Sequence, residues 1–287
     1  MKIGPKKLII KAIKRQKASR RIDFEEGSFF IIYGCVCFVL IGGTFLYTYF
    51  KPGGIAEALE SRFKLSAVVD ASLKKFDHDS FYMDRLSEST YLEGYKKRKA
   101  KTVKQLTVSD SPYLAKLYET YDDQELTHYF SEDRMYLEEK DGFETIDDTE
   151  SRKHIYGYSG MSSFKALLQV MVDNESELTK KKVDGGYEFS VTAEGDLAYD
   201  LIDAFYYAYN DEHYDTTIDI EKCQVAFVVD PKTRTIRSID MTMDLDEDTA
   251  LDGELIYFKQ RAVFKDYGKA KVHLPKKIKE KEAKSAV

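Results

Sequence analysis

One stretch constrains this chain more than any other. Residues 28–50, SFFIIYGCVCFVLIGGTFLYTYF, carry no charged side chain. At about 1.5 Å per residue such a helix runs roughly 34 Å, enough to cross a hydrocarbon core of about 30 Å. Lipid leaves no water for backbone N–H and C=O groups, so a helix is the form expected there. Phe29, Phe30, Leu40, Phe45 and Leu46 are its anchoring side chains, and Tyr33, Tyr47 and Tyr49 fall toward its ends, where aromatic rings favour the interface. Two other fates fit less well. A cleaved signal peptide has a shorter apolar core and small residues before the cut, whereas TFLYTYFKPGG offers no A-x-A. A lipobox cysteine follows its apolar core, whereas Cys35 and Cys37 stand inside it. They read as small apolar residues, with palmitoylation as the alternative.

Charge sets the orientation. Residues 1–27 hold nine Lys/Arg and three Asp/Glu, while Lys51 alone follows the span closely. The positive-inside rule puts 1–27 in the cytoplasm and the chain from 51 onward outside. Leu8, Ile9, Ala12 and Ile13 alternate with lysines at helical spacing, so the arm could lie on the inner leaflet, although a topogenic charge cluster is the simpler expectation. The tail 276–287 has five Lys and two Glu. With a whole-chain charge of −6, the part between the two basic ends sits near −15. A body this acidic repels phosphate backbones, which argues against nucleic-acid binding. Its 21 Tyr and 17 Phe argue against disorder.

Past a hinge at KPGG (51–54), residues 55–275 have the texture of one extracytoplasmic domain. Leu65, Val68, Val69, Leu73 and Phe76 stripe a first helix. Short alternating runs from Phe81 to Tyr156 predict antiparallel strands. A second helix is expected over 163–179 with Ser163 near its N-cap, and a third is striped by Leu197, Leu201, Ala204, Phe205 and Ala208. The block from Cys223 to Gly268 predicts three long strands joined by DPKTR and DEDTALDG, and Pro275 and the Lys-rich tail close the fold. The fold class expected is α+β: a curved, half-barrel-like antiparallel sheet with helices packed on one face.

The order of elements, and above all DPKTRTIRSIDMTMDL followed by a last strand and DYGKAKVHLPKKI, resembles the LolA-like lipoprotein-carrier superfamily of envelope proteins. That resemblance implies a half-open barrel with helices over its mouth. It departs from the family in keeping a transmembrane helix, and it transfers no ligand-binding residue.

Catalytic signals are absent from the pattern. GYSGM (157–161) lacks the G-x-S-x-G spacing of a nucleophile elbow and reads as a loop entering a helix. Asp244, Asp246 and Asp248 occupy calcium-loop positions, yet Thr249 replaces the required Gly and Leu255 the bidentate Glu. The acid-rich run 122–150 reads as the wet face of a sheet, and the basic run Lys96–Lys101 as a solvated strand or turn. His213 lies in an acidic loop, and Cys223 is expected to be a buried inert thiol. With no CxxC and no Cys/His cluster, no metal or cofactor is expected. Phe205, Tyr206 and Tyr209 on the third helix are the candidate pocket-lining residues. The function expected is a non-catalytic, membrane-anchored binding module for a lipid-like or other apolar ligand, with the bilayer as a partner. The alternative is an interaction or sensor protein that docks an envelope partner.

Overall fold

The computed structural model describes residues 46–48, 63–121, 124–139, 142–210, 220–250 and 253–285. The chain divides into two compact units, Met1–Phe63 and Lys64–Val287. Of the first, residues 46–48 are helical. Among the described residues no helix is long and apolar enough to cross a membrane, and the rest of the span expected over 28–50 lies outside them. So do Cys35, Cys37 and His213.

In the second unit, helix α1 (Leu65–His78) leads into six antiparallel strands, β1 (Phe81–Glu93), β2 (Lys96–Ser109), β3 (Leu114–Tyr121), β4 (Gln124–Phe130), β5 (Arg134–Glu139) and β6 (Gly142–Asp147). Helices α2 (Ser151–Ser159) and α3 (Met161–Asp173) follow, then the hairpin β7 (Thr179–Val183) and β8 (Gly186–Ala193), then α4 (Gly195–Asn210). Three long strands, β9 (Ile220–Asp230), β10 (Thr235–Leu245) and β11 (Leu255–Lys265), precede a last helix, α5 (Lys276–Ser285). These eleven strands form one sheet ordered β6-β5-β4-β3-β2-β1-β11-β10-β9-β8-β7, so β1 and β11, far apart in sequence, are neighbours at its centre.

The strands alternate because one face is buried and the other wet. On β9 the buried positions are Cys223, Val225, Phe227 and Val229; on β11 they are Ile256, Phe258, Gln260, Ala262 and Phe264. Cys223 is the expected inert thiol, its pKa pushed up to about 12 by burial. Helices α1 and α4 lie on β10 and β9, and α3 packs against both helices. At the centre of that layer Phe76 of α1 meets Phe81 and Phe264, with ring centroids 5.3 and 5.0 Å apart. The hydroxyl of Ser163 donates to the Phe205 carbonyl at 2.9 Å and ties α3 to α4.

Several local expectations are corrected. The second helix begins at Met161, not Ser163, and ends at Asp173. Leu178 fits the helical stripe, but the chain has left the helix there, and Thr179–Val183 pairs as an edge strand with β8. Its exposed lysines solvate that edge and discourage strand addition. GYSGM is not a loop: Gly157–Ser159 is the last turn of α2, and Gly160 at φ +83° breaks the chain into α3.

Helices also occupy both faces. After β11 the chain crosses to the opposite side of β4–β6, where Ile278 of α5, Val272 and Leu274 cover Tyr129, Tyr136 and Phe143. Ile278 is fully buried. The Lys-rich segment is therefore half of a second small core, and the acid-rich run beneath it is only partly a wet face.

Candidate functional site

Helix and strand rises differ by about a factor of two. The 14 residues of α1 reach about 21 Å, whereas the 13 of β1 reach roughly 43 Å. α1 alone is therefore too short to follow β1 along its whole length. The buried face changes character along that length. One cross-strand row, Phe264–Met83–Leu106–Leu117, is apolar. Two residues further along, the row becomes Ala262–Arg85–Lys104–Glu119; after two more it is Gln260–Ser87–Thr102–Tyr121.

The charged row receives the corner between α2 and α3. Arg85 Nη1 donates to the Ser159 carbonyl at 2.9 Å, and Lys104 Nζ donates to the Tyr158 carbonyl at 2.7 Å. These are carbonyls left unpaired at the end of α2, where the helix dipole favours cations. Arg85 also donates to Ser87 Oγ at 3.1 Å and lies over the Phe164 ring. Burial pushes the Lys104 ammonium below its ordinary range, against the pull of Glu119 Oε2 at 2.6 Å. Burial likewise pushes neighbouring His128 down, so its ring is neutral at pH 7. The Gln260 amide nitrogen lies 3.9 Å from Met241 Sδ, and its buried Oε1 has no partner among the described residues. On β1–β3 the inner face thus turns from an apolar row to a charged row and then a polar one, and the next row, Met243–Phe258–Ser89–Ala100, is again mostly apolar.

At the end of the sheet where β1 turns into β2, a cleft of about 960 Å³ opens between that hairpin and the loop after β10. Its floor is apolar, with Ala100, Leu245 and Ile256 all nearly buried. Its rim is charged: Lys101 stands opposite Glu88 across β1–β2, Lys99 and Asp244 also line it, and Lys97 is paired with Glu247. Among the described residues it holds no histidine or cysteine. The calcium-loop residues do not converge. Asp246 Oδ1 accepts the Asp248 N–H at 3.0 Å and shapes the turn instead. Among the described residues no group of three metal-ligating side chains assembles.

Of the aromatic candidates, Phe205 rests on Phe258 of the sheet with ring centroids 5.5 Å apart. Tyr206 is exposed, and the side chain of Tyr209 lies outside the described residues. Neither Phe205 nor Tyr206 lines the cleft. Nothing in the sequence marked Ala100 or Ile256, because a floor residue looks like any strand residue until the strands are paired.

No protein-family model matches this sequence, and no curated protein sequence does. Among solved structures, LprF from Mycobacterium bovis is similar at 10% identity and a TM-score of 0.36, over 74% of this chain and 95% of that one. The LolA superfamily protein NE2245 from Nitrosomonas europaea is similar at 8% identity and a TM-score of 0.24, over 75% of this chain and 97% of that one. An outer membrane lipoprotein-sorting protein domain from Vibrio parahaemolyticus follows at 9% and 0.24, over 76% and 98%. Of these, NE2245 is the one described as a LolA superfamily protein. At such TM-scores the ligands of those proteins say nothing of this one.

Proposed function

We propose that this chain is a single-pass, membrane-tethered module whose extracytoplasmic domain binds an amphipathic ligand without transforming it. One observation carries the reading: a cleft of about 960 Å³ beside the β1–β2 hairpin has an apolar floor and a charged rim. A volume of that order suits a small ligand. The floor would take an apolar body and the rim a charged group, whereas a purely apolar ligand would leave the rim lysines and carboxylates facing carbon. The uncharged stretch 28–50 supplies the tether and would hold this cleft near the bilayer, where amphipaths are abundant.

Native mass spectrometry of the full chain, extracted in mild detergent, is the test. A copurified amphipath is expected, and Ser89→Phe, which narrows the cleft, is expected to release it. A chain that carries no such species and takes up none from added lipid overturns the reading.

A further inference from the structure

The tip of the β1–β2 hairpin differs from the rest of an acidic domain. Gly94 at φ +57° and Tyr95 make its turn. Tyr95 is fully exposed, the most exposed large hydrophobic side chain among the described residues. Lys96, Lys97, Arg98, Lys99 and Lys101 follow it, all exposed. Two of these charges are already answered, Arg98 by Glu93 at 2.8 Å and Lys97 by Glu247. Lys96, Lys99 and Lys101 form no ion pair among the described residues. The acidic loop beside the tip is partly spent: Glu247 holds Lys97, and the Asp246 carboxylate is engaged with its own backbone.

An exposed tyrosine with lysines around it suits a bilayer interface. The ring sits among head groups while the ammonium groups meet anionic phosphates. The direction of the chain agrees. Ser72 and Lys75, in the C-terminal half of α1, bond the carbonyls of Arg234 and Thr233 in the β9–β10 turn. The N-terminus of α1, where the upstream chain joins, therefore points away from that turn. The β1–β2 tip lies at the end of the sheet opposite that turn, because β1 starts beside it and runs away from it. Residues 51–63 span at most about 45 Å.

We infer that the β1–β2 tip is a contact site for anionic lipid head groups, docking the domain on the bilayer that tethers it. This rests on the tether of the proposed function. It orients the cleft, whose rim includes Lys97, Lys99 and Lys101, toward the lipid surface.

The chain contains no tryptophan, so Tyr95→Trp makes a single reporter. The full chain carrying it is reconstituted in nanodiscs of phosphatidylglycerol and phosphatidylcholine, or of phosphatidylcholine alone. Expected in the anionic discs is blue-shifted emission quenched by brominated acyl chains. Molar salt, or Lys96→Glu, Lys99→Glu and Lys101→Glu together, is expected to weaken the contact on the order of 100-fold, as about 1 kcal/mol per basic residue implies. The salt arm needs no charge variant and so does not depend on the triple variant folding. Inserted chain with water-like emission in anionic discs overturns the inference. So does a blue shift without bromine quenching, which would put the tip against protein, or equal quenching in phosphatidylcholine alone. A chain that fails to co-elute with discs overturns the tether itself, a result read before any fluorescence.

Discussion

The two ends of this sheet are made from the same strands and do opposite things. At one end α1, α3 and α4 close over Phe76, Phe81, Phe264 and Phe164, with every ring fully or nearly buried. At the other the same strands finish in a cleft and a basic hairpin tip. The boundary is the row Arg85–Lys104–Glu119, where two cations hold the end of α2 by its carbonyls. One end can be optimised for packing because the other need not be.

Substitutions should read out this contrast, beginning with the closed end. Phe76→Ala removes a fully buried ring in contact with three others and is expected to cost about 3–5 kcal/mol in denaturant unfolding. A cost under about 1 kcal/mol would mean the layer is loosely packed. At the boundary, Gly160→Ala should be severe for two reasons. Its φ of +83° disfavours a side chain, and a Cβ there would meet Arg85 Nη1 at 1.9 Å. The clash part should vanish in an Arg85→Ala background, giving a coupling of about 1–2 kcal/mol in a double-mutant cycle. Additive effects would place the corner elsewhere. On the opposite face, Ile278→Ala should release α5 at a cost of about 2 kcal/mol. Hydrogen exchange should then rise in β4–β6 and stay unchanged in β9–β11.

A smaller effect is pH-dependent and sits at the closed end. Burial opposes the charge of Asp230, but Arg237 Nη2 at 2.8 Å and the N–H groups of Thr233 and Lys232 outweigh it, and its carboxyl is held below the usual range. A depressed pKa contributes stability that is present above the unfolded value, about 3.9, and is lost as the pH falls through the folded one. The stability gap between the native chain and Asp230→Asn should therefore be constant above about pH 5 and shrink toward pH 2. A gap that widens on acidification would invert the assignment. The smallest effect belongs to the open end. Lys97 and Glu247 are each about half exposed, so Lys97→Ala should change stability by no more than about 0.5 kcal/mol.

Legibility in the sequence follows the same division. The strands β9–β11 and their joining turns could be read because each alternates over eleven residues, and the stripes of α1 and α4 because they repeat at helical spacing. β7 could not. TKKKV has one apolar residue, and an edge strand that faces water on both sides leaves no alternation to see. α2 was hidden by its glycine and by having only Ile155 and Tyr156 as buried large side chains. The cleft was invisible for a different reason: it is lined by residues of β1, β2, β9, β10 and β11 that only strand pairing brings together, and no residue in it has an unusual pattern of its own.

By itself, then, the sequence determined what depends on local periodicity and on transfer between water and apolar surroundings. That is the uncharged span, the acidic aromatic domain after it, and the antiparallel meander with its helices. The tertiary structure alone decided which residues distant in sequence share a row. Arg85, Lys104 and Glu119 meet only because β1, β2 and β3 pair in one register. A polar side chain on a strand looks the same whether it will face water, a helix end or a ligand; the register and the reach of the helices make the choice.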